Sequence, residues 1–162
     1  GSEGSSSCTP CAAGKYSADE GAISEDTCKS CIAGKYSSDS SSQCNNCTSG
    51  SFSGSGAASC EDCPGGKILE DPTQSLVENA CRNCDAGKFS SSGTECSDCS
   101  RGKYSGVGKG ICSECRAGKV EREQATESES EACSNCAKGT SSDASSIDCF
   151  TCPKGTYNDI EG

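Results

Sequence analysis

Methionine, tryptophan and histidine are absent from this 162-residue chain, and only seven of its residues are aromatic. Without His there is no imidazole to act as general base, and one of the ordinary zinc ligands is missing. Large aliphatics are few and scattered, whereas a domain of this length normally hides about two thirds of its unfolded surface behind such side chains. A conventional enzyme core is therefore excluded. No stretch approaches the roughly 20 apolar residues of a spanning helix, and no apolar signal region is present, so no direct membrane insertion is expected. Basic residues are also few, 14 against 24 acidic, for a formal net charge of -10. That balance argues against nucleic acid and anionic membranes as partners, since phosphate binding needs clustered Lys and Arg.

What the chain has instead is 18 Cys, 20 Gly and 32 Ser. Cysteine at this density lies above the roughly 8–10% that marks a disulfide scaffold, in which cross-links replace the core. All 18 fall into nine C-x-x-C pairs: Cys8 and Cys11, Cys28 and Cys31, Cys44 and Cys47, Cys60 and Cys63, Cys81 and Cys84, Cys96 and Cys99, Cys112 and Cys115, Cys133 and Cys136, Cys149 and Cys152. Three residues after each pair stands a glycine, from Gly14 to Gly155. Nine recurrences out of nine define a repeat, and the glycine predicts a turn with positive φ or a close backbone approach.

Two residues beyond each glycine is an apolar slot, held by Tyr16, Tyr36, Phe52, Ile68, Phe89, Tyr104, Val120 and Tyr157, with Ser141 in the eighth unit. Six of the seven aromatics sit there and Phe150 is the exception. Concentrating scarce rings at one position predicts that each packs on the neighbouring disulfide or repeat, as repeat arrays bury one face per unit.

Spacings between first cysteines run 20, 16, 16, 21, 15, 16, 21, 16. One long and two short steps sum to 52 twice, dividing a continuous array into triplets at 1–59, 60–111 and 112–162. The long loops 12–27, 64–80 and 116–132 hold 12 of the 24 acidic residues, while short loops such as 37–43, 51–59 and 90–95 are Ser/Gly-rich turn material. Residues 120–132 have helix-friendly Glu, Gln and Ala and room for one helical turn, but no apolar stripe. The expected fold is a small, disulfide-rich, elongated tandem-repeat rod of short β-bridges and turns.

Three chemistries compete for repeated C-x-x-C. Zinc uses paired C-x-x-C at similar spacing, yet nine pairs do not divide into four-cysteine sites and nothing marks which would join. Thiol-disulfide catalysis needs one such pair on a βαβ frame, which is missing. The third is a disulfide ladder in an oxidising compartment. Its serial form joins Cys11 to Cys28, Cys31 to Cys44, Cys47 to Cys60, Cys63 to Cys81, Cys84 to Cys96, Cys99 to Cys112, Cys115 to Cys133 and Cys136 to Cys149. Interlocked pairing is the rival, and spacing leaves both open. Serial closure leaves Cys8 and Cys152 for links to neighbouring segments, because joining the end to a start recreates a long-loop unit. The chain then reads as a window of a longer repetitive protein or a subunit joined head to tail. Asn46-Cys47-Thr48 is a glycosylation sequon, so Asn46 is a candidate glycan site on a secreted chain. No cofactor or metal is expected; acidic pairs such as Glu70 and Asp71, or Asp19 and Glu20, lack the spacing of a calcium cage.

The segments CTPCAAGKYS, CKSCIAGKYS, CRNCDAGKFS and CSDCSRGKYS resemble the ephrin-receptor-like cysteine-rich repeat, a relative of TNF-receptor-type and EGF-like modules found in large extracellular proteins of protists and algae. The resemblance covers essentially the whole chain, departing at the eighth slot in CSNCAKGTSS. It implies an extracellular, disulfide-laddered rod and transfers no catalytic residue. Two function classes follow: a structural rod or filament segment that associates with itself or with neighbouring repeats, or a receptor or adhesion ectodomain that binds a protein ligand. Regular units without an insertion favour the first, since a dedicated binding site usually shows as one anomalous repeat. An enzyme has no supporting motif.

Overall fold

The structure, a computed structural model, describes residues 7–161. After each cysteine pair the backbone reverses within four residues. Lys15 N–H donates to the Ala12 carbonyl, and the equivalent bond recurs at all nine turns, through Thr156 to Pro153, at 3.0–3.2 Å. The third residue of every turn is the repeat glycine, with φ between +78° and +87°. Type II turns need that conformation at that place, and glycine adopts it without steric cost.

The two residues leaving a turn then pair with the two residues inside the next C-x-x-C. In the first such hairpin Lys15 lies opposite Ser30 and Tyr16 opposite Lys29, in antiparallel register. Eight two-stranded sheets repeat this arrangement along the described chain. Strands of two or three residues bury too little to persist alone, and eight disulfides close the ladder: Cys11–Cys28, Cys31–Cys44, Cys47–Cys60, Cys63–Cys81, Cys84–Cys96, Cys99–Cys112, Cys115–Cys133 and Cys136–Cys149. Each joins the second cysteine of one pair to the first of the next. Closing loops of this size contributes about 3 kcal/mol apiece in the chain-entropy model. The molecule is a small disulfide-rich repeat fold with little regular structure.

The long loops behave differently from the short ones. The first carries a 3-10 turn, Glu25–Thr27, capped by the Ser24 side chain on the Asp26 N–H. The second and third each carry one α-helical turn, Val77–Ala80 and Glu129–Ala132. No apolar stripe announces these helices. They form because the loop must return to its cysteine, and the last helical residue does two jobs. Ala80 is fully buried, and its carbonyl accepts from Glu70 and Asp71 N–H at 2.8 and 3.1 Å. Ala132 is likewise buried and accepts from Arg122 and Glu123 at 2.6 and 3.1 Å.

Contacts divide the chain into two units, Gly1–Cys63 with Leu69–Cys81, and Pro64–Ile68 with Arg82–Gly162. The first holds a core of Phe52, Cys63, Ala80 and Cys81, with Leu69 and Val77 against it. The second holds Tyr104, Cys115, Ala132 and Cys133. The four positions of one core are those of the other moved by 52 residues, so the triplet period of the loops is also a period of packing.

Within each unit, glycine also permits contact between repeats two apart. A side chain on Gly14 would meet the Gly56 carbonyl, and one on Gly66 would overlap the Gly108 carbonyl, whereas Gly139 faces open space. Gly139→Ala should thus cost only the ~1–2 kcal/mol of a left-handed L-residue. Gly66→Ala should cost ~1–3 kcal/mol more, because backbone must move. Denaturant midpoints measured with the bridges intact check this, and equal losses at the two positions would refute the backbone contact.

Candidate functional site, the joint between successive repeats

Each joint begins with the backbone. The N–H of the second cysteine donates to the preceding repeat glycine's carbonyl at all eight junctions, from Cys31 on Gly14 to Cys152 on Gly139, at 2.8–3.1 Å. This bond holds the incoming C-x-x-C flat against the glycine turn and brings its first cysteine within bridging reach of the one before.

A second contact runs through the residue after the slot. Gly14, Gly34, Gly66, Gly87 and Gly118 donate their N–H groups to the carbonyls of Ser37, Ser53, Ser90, Ser105 and Ser142, at 2.7–2.9 Å. In return Ser37, Ser53, Ser105 and Ser142 donate their hydroxyls to the carbonyls of Lys15, Lys35, Lys88 and Lys119, at 2.9–3.1 Å. These serines are buried, which a hydroxyl tolerates when it is hydrogen-bonded. Ser105 and Ser142 also sit 3.4 Å from the sulfurs of Cys99 and Cys136; a bridged sulfur has no hydrogen, so the hydroxyl proton goes to the carbonyl.

The exceptions are instructive. Ser90 is buried, yet its hydroxyl has no partner. Asn158 replaces serine at the eighth joint, its carbonyl accepting from Gly139 at 2.7 Å and its side-chain amide donating to Thr140 at 2.8 Å. At the sixth joint the Glu121 carboxylate takes the Gly102 N–H directly. The sequence alone gives these serines no role across a joint. Their signal was nonetheless visible, since Ser follows the slot at 17, 37, 53, 90, 105 and 142.

The slot residues separate by burial. Phe52 is 1% exposed and Tyr104 9%, packed in the two cores against the Cys63–Cys81 and Cys115–Cys133 bridges. Tyr16, Tyr36, Ile68, Phe89 and Val120 are half-buried. Tyr157 departs from the packing expectation, being 85% exposed, because no described unit lies beyond it. Phe150, the aromatic outside the slot, is exposed too.

Cys8 and Cys152 are the free cysteines among the described residues, the first exposed and the second half-buried. Asn46 is exposed on its strand, while Cys47 in the middle of the sequon is bridged to Cys60. Among the described residues no group of three or more His, Cys, Asp or Glu is placed to hold a metal ion, and no helix is long and apolar enough to cross a membrane. The Asp71 carboxylate is engaged within its own loop. Hydrogen bonds from the Gln74 side chain, then from Thr73, hold it below the usual carboxylate range.

Ion pairs decorate the surface: Lys88 with Asp98 and Lys103 with Glu114 at 2.8 Å lie across paired strands, and Lys15 reaches Glu25 of the 3-10 turn at 3.6 Å. Exposed pairs of this kind contribute little to stability. Glu114 is nevertheless held below its ordinary pKa, chiefly by the hydrogen bond from Lys103 and then by its charge.

No protein-family model matches the chain, and no curated protein matches it. The geometry stands on its own: disulfide-laddered repeats consistent with an extracellular structural or receptor-like module.

Ser105→Ala should lower stability by about 1–2 kcal/mol, since it leaves the Lys88 carbonyl without its donor. Ser90→Ala, which removes no hydrogen bond, should stay within about 0.5 kcal/mol; matching losses in urea titrations would contradict the joint described. The Glu114 contribution has a definite sign. A folded pKa below the unfolded one gives stabilisation that is complete above the ordinary Glu range and is lost as pH falls through the folded value. Side-chain NMR titration should find Glu114 ionising below the ordinary Glu value and moving back up towards it in Lys103→Met; an unchanged curve would exclude the pair.

Proposed function

We propose that this chain is a structural segment of an extracellular rod or filament, such as a surface appendage, fibre or matrix, built from repeats of the ephrin-receptor-like cysteine-rich class. The observation that carries the reading is the sameness of the joints. One backbone bond, from second cysteine to glycine, recurs at all eight junctions, and the two cores coincide after a 52-residue shift. A binding module concentrates its specificity in one distinctive patch, whereas a scaffold that only has to be continued repeats one contact.

Surface chemistry supports the same role. Net charge of -10 and abundant Ser keep such an assembly hydrated and hinder non-specific sticking. Asn46 is exposed and is the candidate glycan site. Bridges at this density persist in an oxidising compartment outside the cytosol. Partners are then neighbouring repeats or further copies of the same protein, and the chain performs no catalysis.

Antibodies raised against the 162-residue protein should label filaments or matrix outside the cell in immunogold electron microscopy. Label confined to the cytosol, or spread over discrete surface receptors without fibres, would overturn the proposal.

A further inference from the structure

Asn46-Cys47-Thr48 is the one glycosylation sequon in the chain, and the fold uses all three of its residues. Asn46 stands in extended backbone opposite Lys35, with its side chain exposed. Cys47 donates its N–H to the Gly34 carbonyl at 3.0 Å and commits its sulfur to the bridge with Cys60. Thr48 opens the turn that contains Gly50. Its carbonyl accepts from Ser51 N–H at 3.1 Å, and its hydroxyl oxygen lies 3.3 Å from that of Ser51. The Ser51 hydroxyl in turn meets the Asp62 carboxylate at 2.5 Å. A carboxylate only accepts and a hydroxyl has one proton to give, so Ser51 donates to Asp62 and Thr48 donates to Ser51.

Glycan transfer asks for the opposite arrangement. A sequon needs a hydroxyl two residues after its asparagine, so the transferring enzyme must grip that hydroxyl together with the carboxamide. The three residues have to enter its site as unpaired backbone with free side chains. In the folded joint the middle N–H, the middle sulfur and the threonine hydroxyl all have other partners. Asn46 is therefore displayed to solvent while its sequon is closed to the enzyme. The bridge is what makes this closure permanent, because strands of two residues open readily on their own. Asn83 and Asn135 hold the same place in their own C-x-x-C pairs, but Asp85 and Ala137 follow them where Thr48 follows Asn46.

We infer that Asn46 is glycosylated only while the Cys47–Cys60 bridge is open, so that glycan transfer and bridge closure compete for the same three residues. The donor in the first reaction is a lipid-pyrophosphate-linked oligosaccharide. A bond forms between Asn46 Nδ2 and the first sugar carbon, the bond from that carbon to the pyrophosphate oxygen breaks, and the proton lost from Nδ2 leaves with the lipid pyrophosphate. The second reaction takes a disulfide oxidant such as oxidised glutathione. The Cys47 thiolate attacks it and expels one glutathione thiolate; the Cys60 thiolate then attacks the mixed disulfide and expels the other, and the two thiol protons end on the released glutathione. The competition runs one way. A glycan on the exposed Asn46 leaves the bridge able to close afterwards, whereas a closed bridge shuts the enzyme out. Occupancy at Asn46 thus records how long this segment stayed reduced.

This inference rests on the extracellular placement proposed above, and its assay is independent of that placement. The purified 162-residue protein, oxidised or reduced, is incubated with detergent-solubilised eukaryotic microsomes and a dolichol-linked oligosaccharide, and glycopeptide mass spectrometry follows Asn46. The reduced chain should be modified about tenfold faster or more, the ratio set by a local opening of ~1.4 kcal/mol. Cys60→Ser should reach the fast rate under oxidising conditions, while Cys149→Ser, which also frees one thiol, should stay slow. Ala137→Thr carries the test to a second place. It completes a sequon at Asn135, whose neighbour Cys136 is bridged to Cys149, and Asn135 should then be modified in the reduced chain and spared in the oxidised one. Equal rates for oxidised and reduced chains, transfer to neither, or a Cys60→Ser rate no higher than that of Cys149→Ser would overturn the competition and leave the structural role standing. Cytosolic label in the immunogold experiment would overturn that role and leave the measured competition intact.

Discussion

Everything in this molecule hangs on the bond between the carbonyl of a left-handed glycine and the N–H of the next unit's second cysteine. That carbonyl is aimed correctly because glycine alone takes the φ of about +80° without steric cost. Once the bond forms, the following C-x-x-C lies antiparallel to the residues leaving the turn, and its first cysteine is carried to the preceding second cysteine. The disulfide then makes permanent an approach that two-residue strands could not maintain. Backbone geometry selects the partner, and covalent chemistry keeps it.

Two periods are superposed on this unit. The short one is polar: at four of the eight joints glycine amide, serine carbonyl, serine hydroxyl and lysine carbonyl form a reciprocal clasp that satisfies buried groups without needing apolar volume. The long one is apolar, and it appears where a long loop has room for one helical turn ending in Ala80 or Ala132. Alanine at that place is small enough to lie beneath a ring and a disulfide together. With only seven aromatics available, the described residues form two ring-centred cores 52 residues apart and leave the remaining slots half-covered or exposed. Large residues elsewhere would have little to pack against.

Such a construction has functional consequences. Stability accumulates joint by joint, as in other repeat arrays. The groups that perturb titration, Lys103 beside Glu114 and Gln74 with Thr73 around Asp71, do so on the surface to fix hairpins and loops.

The residue pattern by itself determined the unit, its nine turns, the disulfide-rich class and the 52-residue superperiod, because glycine and cysteine act locally and their positions are periodic. It left two cysteine connectivities open, since spacing constrains loop length but not which sulfurs meet. Tertiary structure decided that matter through the direction of the glycine carbonyl. It also decided what the serines do: in the chain Ser37 and Ser53 read as turn material, and only the fold brings each to a carbonyl of the preceding repeat. The helical turn ending at Ala132 falls where the Glu, Gln and Ala of 120–132 left room for one, whereas the turn ending at Ala80 had no such signal, and neither loop carries an apolar stripe. Local conformational rules can be read from one sequence, whereas contacts between repeats depend on a geometry that exists only after the turns have formed.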